Sequence, residues 1–221
     1  MPWDEEQGTV TRAFDQWRLT EVDIRSFTKL GLKIAKQFYE RTWEDLAAAP
    51  GDPYGSDLAD LFHYAVEGLW PDDFNWMLLA GAVKDAVTAF DVFLEKATDE
   101  VLRVHGWSIK PSEHSPNWKH LVRFWKALGT TVNTAEVRRV RDLRNFLTHR
   151  RGELRTEGLR KKYQERTEQM QWLVTLPEEL VTGAMEDLAG AVRAMDVVAY
   201  AYSWGGQPLP RSVGEAISNP R

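Results

Sequence analysis

Residues 72–104, DDFNWMLLAGAVKDAVTAFDVFLEKATDEVLRV, contain no proline, and within them Val87, Phe90, Leu94, Ala97 and Val101 recur at alternating intervals of three and four. That rhythm keeps apolar side chains on one stripe of a 3.6-residue helix and does not fit the two-residue alternation of a half-buried strand. A long amphipathic helix must cover its stripe with other elements. The flanking sequence offers more helices to do so.

Upstream, Thr20 followed by Glu21 and Asp23 resembles a capping box, and Phe27, Leu30, Ile34 and Phe38 then recur with helical spacing to about Ala48. Pro50, Gly51 and Pro53 break the chain before Ser56, which caps a shorter predicted helix carrying Leu58, Leu61, Phe62, Ala65 and Leu69; Pro71 opens the long one. Downstream, Gly106, Pro111 and Pro116 mark a loop, and Trp118 to Leu128 reads as a short helix. Asn133 or Thr134 caps the next, whose seam is Val137, Val140, Leu143 and Leu147, while Arg138, Arg141, Asn145 and His149 share a different face. A charged stretch follows Gly158, and Trp172 to Leu176 suits an extended segment. Pro177 starts the last helix, in which Val181, Ala184, Leu188, Ala191, Met195, Val198 and Tyr202 repeat.

The fold expected is all-α, an irregular bundle of five to six helices forming one domain over residues 1–204. The helix at 72–104 and the last helix are its main packing partners. Residues 205–221, rich in Gly, Pro and Ser, are expected to form a mobile tail.

Composition narrows the chemistry. The absence of cysteine excludes disulfide scaffolds, thiolate zinc sites and cysteine nucleophiles, and suits a cytoplasmic protein. Asp4, Glu5 and Glu6 stand where a secretion signal needs basic residues, and no charge-free apolar run is long enough to span a membrane. Histidines at 105, 114 and 120, with Glu113, match no common zinc spacing. The ten tryptophans are mostly assigned to packing, with Trp107 or Trp172 as the candidates for stacking a base. Net charge is −5, yet from Arg138 to Arg166 eleven Lys or Arg stand against four Asp or Glu, which is +7 there and −12 elsewhere. A basic stripe on an acidic body still attracts phosphates locally.

Inside the stripe lies Arg141-Asp142-Leu143-Arg144-Asn145-Phe146-Leu147-Thr148-His149-Arg150-Arg151-Gly152. Arg144 and His149 are separated by four residues, and the position after Arg144 is the polar Asn145. This arrangement resembles the signature of the HEPN superfamily, in which an arginine, commonly followed by a polar residue and often by asparagine, is followed after four to six residues by a histidine. A related branch that pairs with small nucleotidyltransferases carries a tyrosine two residues after the histidine. Here that position is Arg151.

The residue types also make sense by themselves. In RNA the 2'-hydroxyl can attack its own phosphodiester if a base takes its proton, an acid protonates the leaving 5'-oxygen and cations stabilise the phosphorane. Histidine serves both proton roles near neutral pH, and arginine offers a permanent charge with a planar fork that matches phosphate oxygens. Asn145 and His149 lie one helical turn apart, whereas Arg144 sits about 140° round from His149, so one chain alone does not close the site.

The resemblance implies how closure is achieved. HEPN ribonucleases pair their motif helices across a two-fold axis, so a homodimer would bring two copies of His149 into one composite cleft. It further implies a metal-independent endoribonuclease of toxin or antiviral-defence type, with Arg144, Asn145 and His149 as catalytic residues and no cofactor. A separate antitoxin or activator protein is a possible partner. Arg138, Arg141, Arg150, Arg151, Arg155, Lys161 and Lys162 are the expected contacts to the RNA backbone. Against the last assignment stands a plainer use of the charges, pairing of Glu157 with Lys161 or Lys161 with Glu165 at helical spacing. Against catalysis stands a non-catalytic helical module that binds a nucleotide or a partner protein.

Overall fold

A computed structural model describes residues 10–48, 71–107, 118–154, 156–163 and 174–218. Among these residues there are seven helices and no strand: α1 (Arg12–Ala48), α2 (Pro71–Val104), α3 (Trp118–Ala127), α4 (Ala135–Arg150), α5 (Glu157–Tyr163), α6 (Glu178–Ser203) and α7 (Arg211–Ser218). The chain is all-α, as its periodicity predicts. The short helix expected from Ser56 and the residue Trp172 lie outside the described residues. No described helix is long and apolar enough to cross a membrane.

The long helix α2 is the hub, packing on α1, α3, α4 and α6. Its stripe Val87, Phe90, Leu94, Ala97 and Val101 is fully buried. Burying a side chain such as Phe90 or Leu94 contributes about 1.5–3 kcal/mol, so this stripe alone does much to define the fold. The core divides in two. One cluster gathers Phe90, Leu94, Phe124, Trp125, Leu188 and Met195; the other gathers Leu79, Val83, Leu143, Leu147, Val181 and Met185. Helices α2, α4 and α6 each run through both clusters, α4 with Val137 and Val140 in the first and Leu143, Phe146 and Leu147 in the second.

Helix α1 departs from its sequence signals in two ways. It begins at Arg12 instead of near Thr20 because tertiary acceptors satisfy its first N–H groups. Thr11 Oγ1 accepts from Phe14 N at 3.1 Å, and the Glu100 carboxylate accepts from Arg12 N and Ala13 N, each at 3.2 Å. Thr11 is itself held by buried Asp196, whose Oδ1 accepts from its backbone N–H at 3.1 Å and its hydroxyl at 2.5 Å. Thr20 lies inside the helix and donates to Gln16 O. The second departure concerns direction. Ala13, Trp17, Thr28 and Ala35 make the buried side, and Gly31 sits close to Leu78 of α2. Phe27, Leu30, Ile34 and Phe38, whose spacing announces the helix, are 71%, 57%, 55% and 52% exposed.

The segment after Trp204, expected to be mobile, carries α7. Val213 is fully buried in the first cluster, with Leu209 packed against the same cluster, and α7 lies on α3. An eight-residue helix has little stability of its own; this packing is what holds it.

Candidate functional site

Helix α4 carries the motif, and its two ends are fixed by different means. At the N-terminus Thr134, in extended conformation, accepts from Val137 N at 3.3 Å through its hydroxyl, the cap the sequence predicts. At the C-terminus Arg151 takes a left-handed conformation, φ 50°, and Gly152 follows at φ 72°. The Arg151 N–H donates to Phe146 O, closing the last turn. Beyond it Gly152 O accepts from Val174 N at 2.8 Å, and Val174 O accepts from Trp76 Nε1, also at 2.8 Å. The non-helical course of residues 174–176 is thereby pinned to the end of the motif helix and to α2. His149 stands three residues before this anchored stop.

With Val140, Leu143 and Leu147 turned into the core, the opposite face presents Arg138, Asn145 and His149 to solvent, all exposed, with Arg144 half-buried at its margin. Arg144 Nη1 donates to Asn145 Oδ1 at 3.0 Å, so the asparagine amide orients the arginine fork. The His149 imidazole has no hydrogen-bond partner among the described residues. Asn145 and His149, four apart on one helix, share a face as expected.

The neighbouring helices add groups that no local pattern in α4 reveals. Arg141 is drawn from the expected RNA-contacting set into a structural role: Nη1 pairs with Asp91 Oδ1 of α2, and its guanidinium stacks 3.6 Å from the ring centroid of Trp118 at the start of α3. Desolvation by burial pushes the Asp91 carboxyl up despite the opposing pull of Arg141 and, further off, Arg144. One turn along α2, Glu95 is raised by partial burial and by the nearby charge of Asp91. The site is therefore an arginine-rich helix edge braced by the Asp91 carboxylate, with Glu95 one turn further along α2. The sequence did contain a trace of them, since Asp91 and Glu95 interrupt an otherwise apolar stretch four residues apart.

The remaining basic residues disperse. Arg138 Nε donates to Thr134 O at 3.4 Å, Arg139 pairs with Asp187 of α6 at 2.6 Å, and Lys161 pairs with Glu157 at 2.9 Å. The last is the helical-spacing pair that the sequence allowed. Arg151 is exposed at the helix stop. The side chains of Arg150 and Lys162, like the whole of Arg155, lie outside the described residues. His105 Nε2 sits 2.8 Å from Tyr202 O, tying the end of α2 to α6, and Trp107 packs near Gly214 of α7. Glu113 and His114 lie outside the described residues. A cleft of about 450 Å³ opens between α1 and α2 and is lined by Gln16, Trp17, Thr88, Val92, Phe93 and Lys96, none of them on the motif helix. Compared with protein-family models, with curated proteins and with solved structures, the chain matches none.

Proposed function

We propose that this chain is a metal-independent endoribonuclease of the HEPN kind, acting on RNA as a homodimer in a toxin-like or antiviral-defence role. The observation that carries the reading is the exposed pair Asn145 and His149, one turn apart on α4, with Arg144 hydrogen-bonded to Asn145 at their margin. A phosphodiester laid on this face meets a proton carrier, a permanent cation and an orienting amide. His149 takes the proton from the 2'-hydroxyl as its oxygen bonds to phosphorus. A second His149, brought across the two-fold axis, protonates the departing 5'-oxygen. Arg144 stabilises the charge that accumulates on the phosphorane between these steps. The products are a 2',3'-cyclic phosphate and a 5'-hydroxyl. Arg138 and Arg151, exposed at either end of α4, would hold the flanking backbone.

The test is cleavage of a labelled mixed-sequence RNA in EDTA by the wild type and the His149→Ala and Arg144→Ala variants, with product ends identified. Cyclic phosphate ends from the wild type, lost in both variants, are expected. A folded, dimeric wild type without cleavage, alone and with candidate activator proteins, would move the assignment to a non-catalytic module binding a nucleotide or partner.

A further inference from the structure

Helix α1 is apolar on two sides. Its inner side is spent on α2 and α6, while Phe27, Leu30, Ile34 and Phe38 form an outward stripe more than half exposed, extended towards the N-terminus by Leu19. Six side chains of this size, counting Val22 on the flank, leave on the order of 500 Å² of apolar surface in contact with water, towards the upper end of the largest patches on monomers, which are often functional. The spacing from Phe27 through Leu30 and Ile34 to Arg41 alternates three, four and seven, the seam of a helix that meets another nearly parallel or antiparallel. Two exposed charges stand in line with the seam: Asp23 at one end and Arg41 at the other.

We infer that the outer face of α1 is a homotypic interface, in which two copies of this chain pair their α1 helices antiparallel about a two-fold axis between Leu30 and Ile34. The charge pattern chooses the occupant and the direction. With the axis there, Leu30 of one copy meets Ile34 of the other, Phe27 falls opposite Gln37 with Phe38 beside it, and Asp23 falls opposite Arg41, every contact occurring twice. A parallel pairing in register would set Asp23 against Asp23 and Arg41 against Arg41. Pairing doubles the covered apolar area to about 1,000 Å², the least that a specific interface needs, so a dimer of modest affinity is expected. Helix α1 does not pack on α4. The α1 interface therefore leaves the motif face free, and if the motif helices also pair, the two distinct two-fold contacts give a tetramer.

The test is solution mass by sedimentation or light scattering on the full chain, with circular dichroism as the folding control. Asp23→Arg and Arg41→Asp are each expected to halve the mass at concentrations near the dissociation constant, which each reversal raises roughly tenfold or more. An equimolar mixture of the two variants is expected to recover the wild-type mass, because one then supplies two arginines where the other supplies two aspartates. Phe27→Glu is expected to halve the mass without loss of helicity. A wild-type monomer at about 100 μM, or a mass indifferent to all three substitutions, would overturn the inference. A monomer that Phe27→Glu destabilises would overturn it too, placing another part of the same chain over the face. Mass and RNA cleavage are independent readouts, so failure of this interface and failure of the ribonuclease reading are distinguishable.

Discussion

Replacing Gly152 by alanine tests how tightly the motif helix is stopped. A Cβ at this position would lie 2.6 Å from Trp76 Cζ2 and 3.1 Å from Val174 Cγ1, and φ is 72°, where L side chains are strained. The backbone contributes about 1 kcal/mol of the cost. Displacing a half-buried indole that also donates to Val174 O contributes roughly 1–3 kcal/mol more, as small-to-large substitutions at packed sites do. The sum, about 2–4 kcal/mol, corresponds to a fall in Tm of roughly 5–15 °C for a chain of this size. Denaturant unfolding followed by circular dichroism measures it. Gly183→Ala is the control: it lies inside α6 with no atom within 4 Å of the added carbon, and should stabilise by about 0.5–1 kcal/mol. In a Trp76→Phe background the smaller ring leaves room for the methyl group, and the cost of Gly152→Ala should shrink towards the backbone share alone. A Gly152→Ala variant within about 0.5 kcal/mol of the wild type would refute the reasoning, because neither strain nor clash would then be present.

Two further outcomes follow from the buried carboxylates. Asp91→Ala strips the mostly buried Arg141 of its ion-pair partner and leaves it only the face of Trp118, so a loss of about 2 kcal/mol in denaturant unfolding is expected, and no measurable loss would show that the stacking suffices. For Asp196, desolvation by burial raises the carboxyl above its ordinary value, with the bonds from Thr11 opposing and Glu100 and Asp15 adding to the rise. A raised folded-state value means the contribution to stability is complete below the unfolded value and is lost as pH rises through the folded one. Asp196→Asn keeps an oxygen for Thr11 but cannot titrate, so wild-type Tm minus variant Tm should grow as pH falls from about 7 to about 4. A difference that stays constant over that range would rule Asp196 out as the source.

What could be read from the chain ahead of its structure divides along physical lines. The stripe of α2 and the repeat of α6 were legible because each helix has one wide apolar face whose period survives any neighbour. Thr134 was legible as a cap because its bond to Val137 N is local. Likewise the shared face of Asn145 and His149 follows from helical geometry alone. The start of α1 was not legible, since Thr11 serves as its cap while held by Asp196, 185 residues away, and Thr20 imitates the local pattern equally well. Nor does periodicity state which of two apolar sides of α1 the fold will cover. The pairing of Arg141 with Asp91 is likewise tertiary, and it converts an arginine that reads as an RNA contact into a brace between α2 and α4. Helix α7 lay in a segment whose composition signals mobility, and only the seat for Val213 beside α3 makes it a helix.

The division of the core bears on how the motif helix moves. Because α4 has one end of its seam in each cluster, and α2 and α6 also thread both, neither half of the core can loosen without dragging on the other. The backbone amides in the middle of α4 are therefore expected to exchange with solvent deuterium at the pace of global unfolding, even though the helix lies at the surface. The face that carries Asn145 and His149 is thus mounted on an element tied to both halves of the core. Beneath that face the backbone is expected to stay fixed while side chains such as His149 change rotamer.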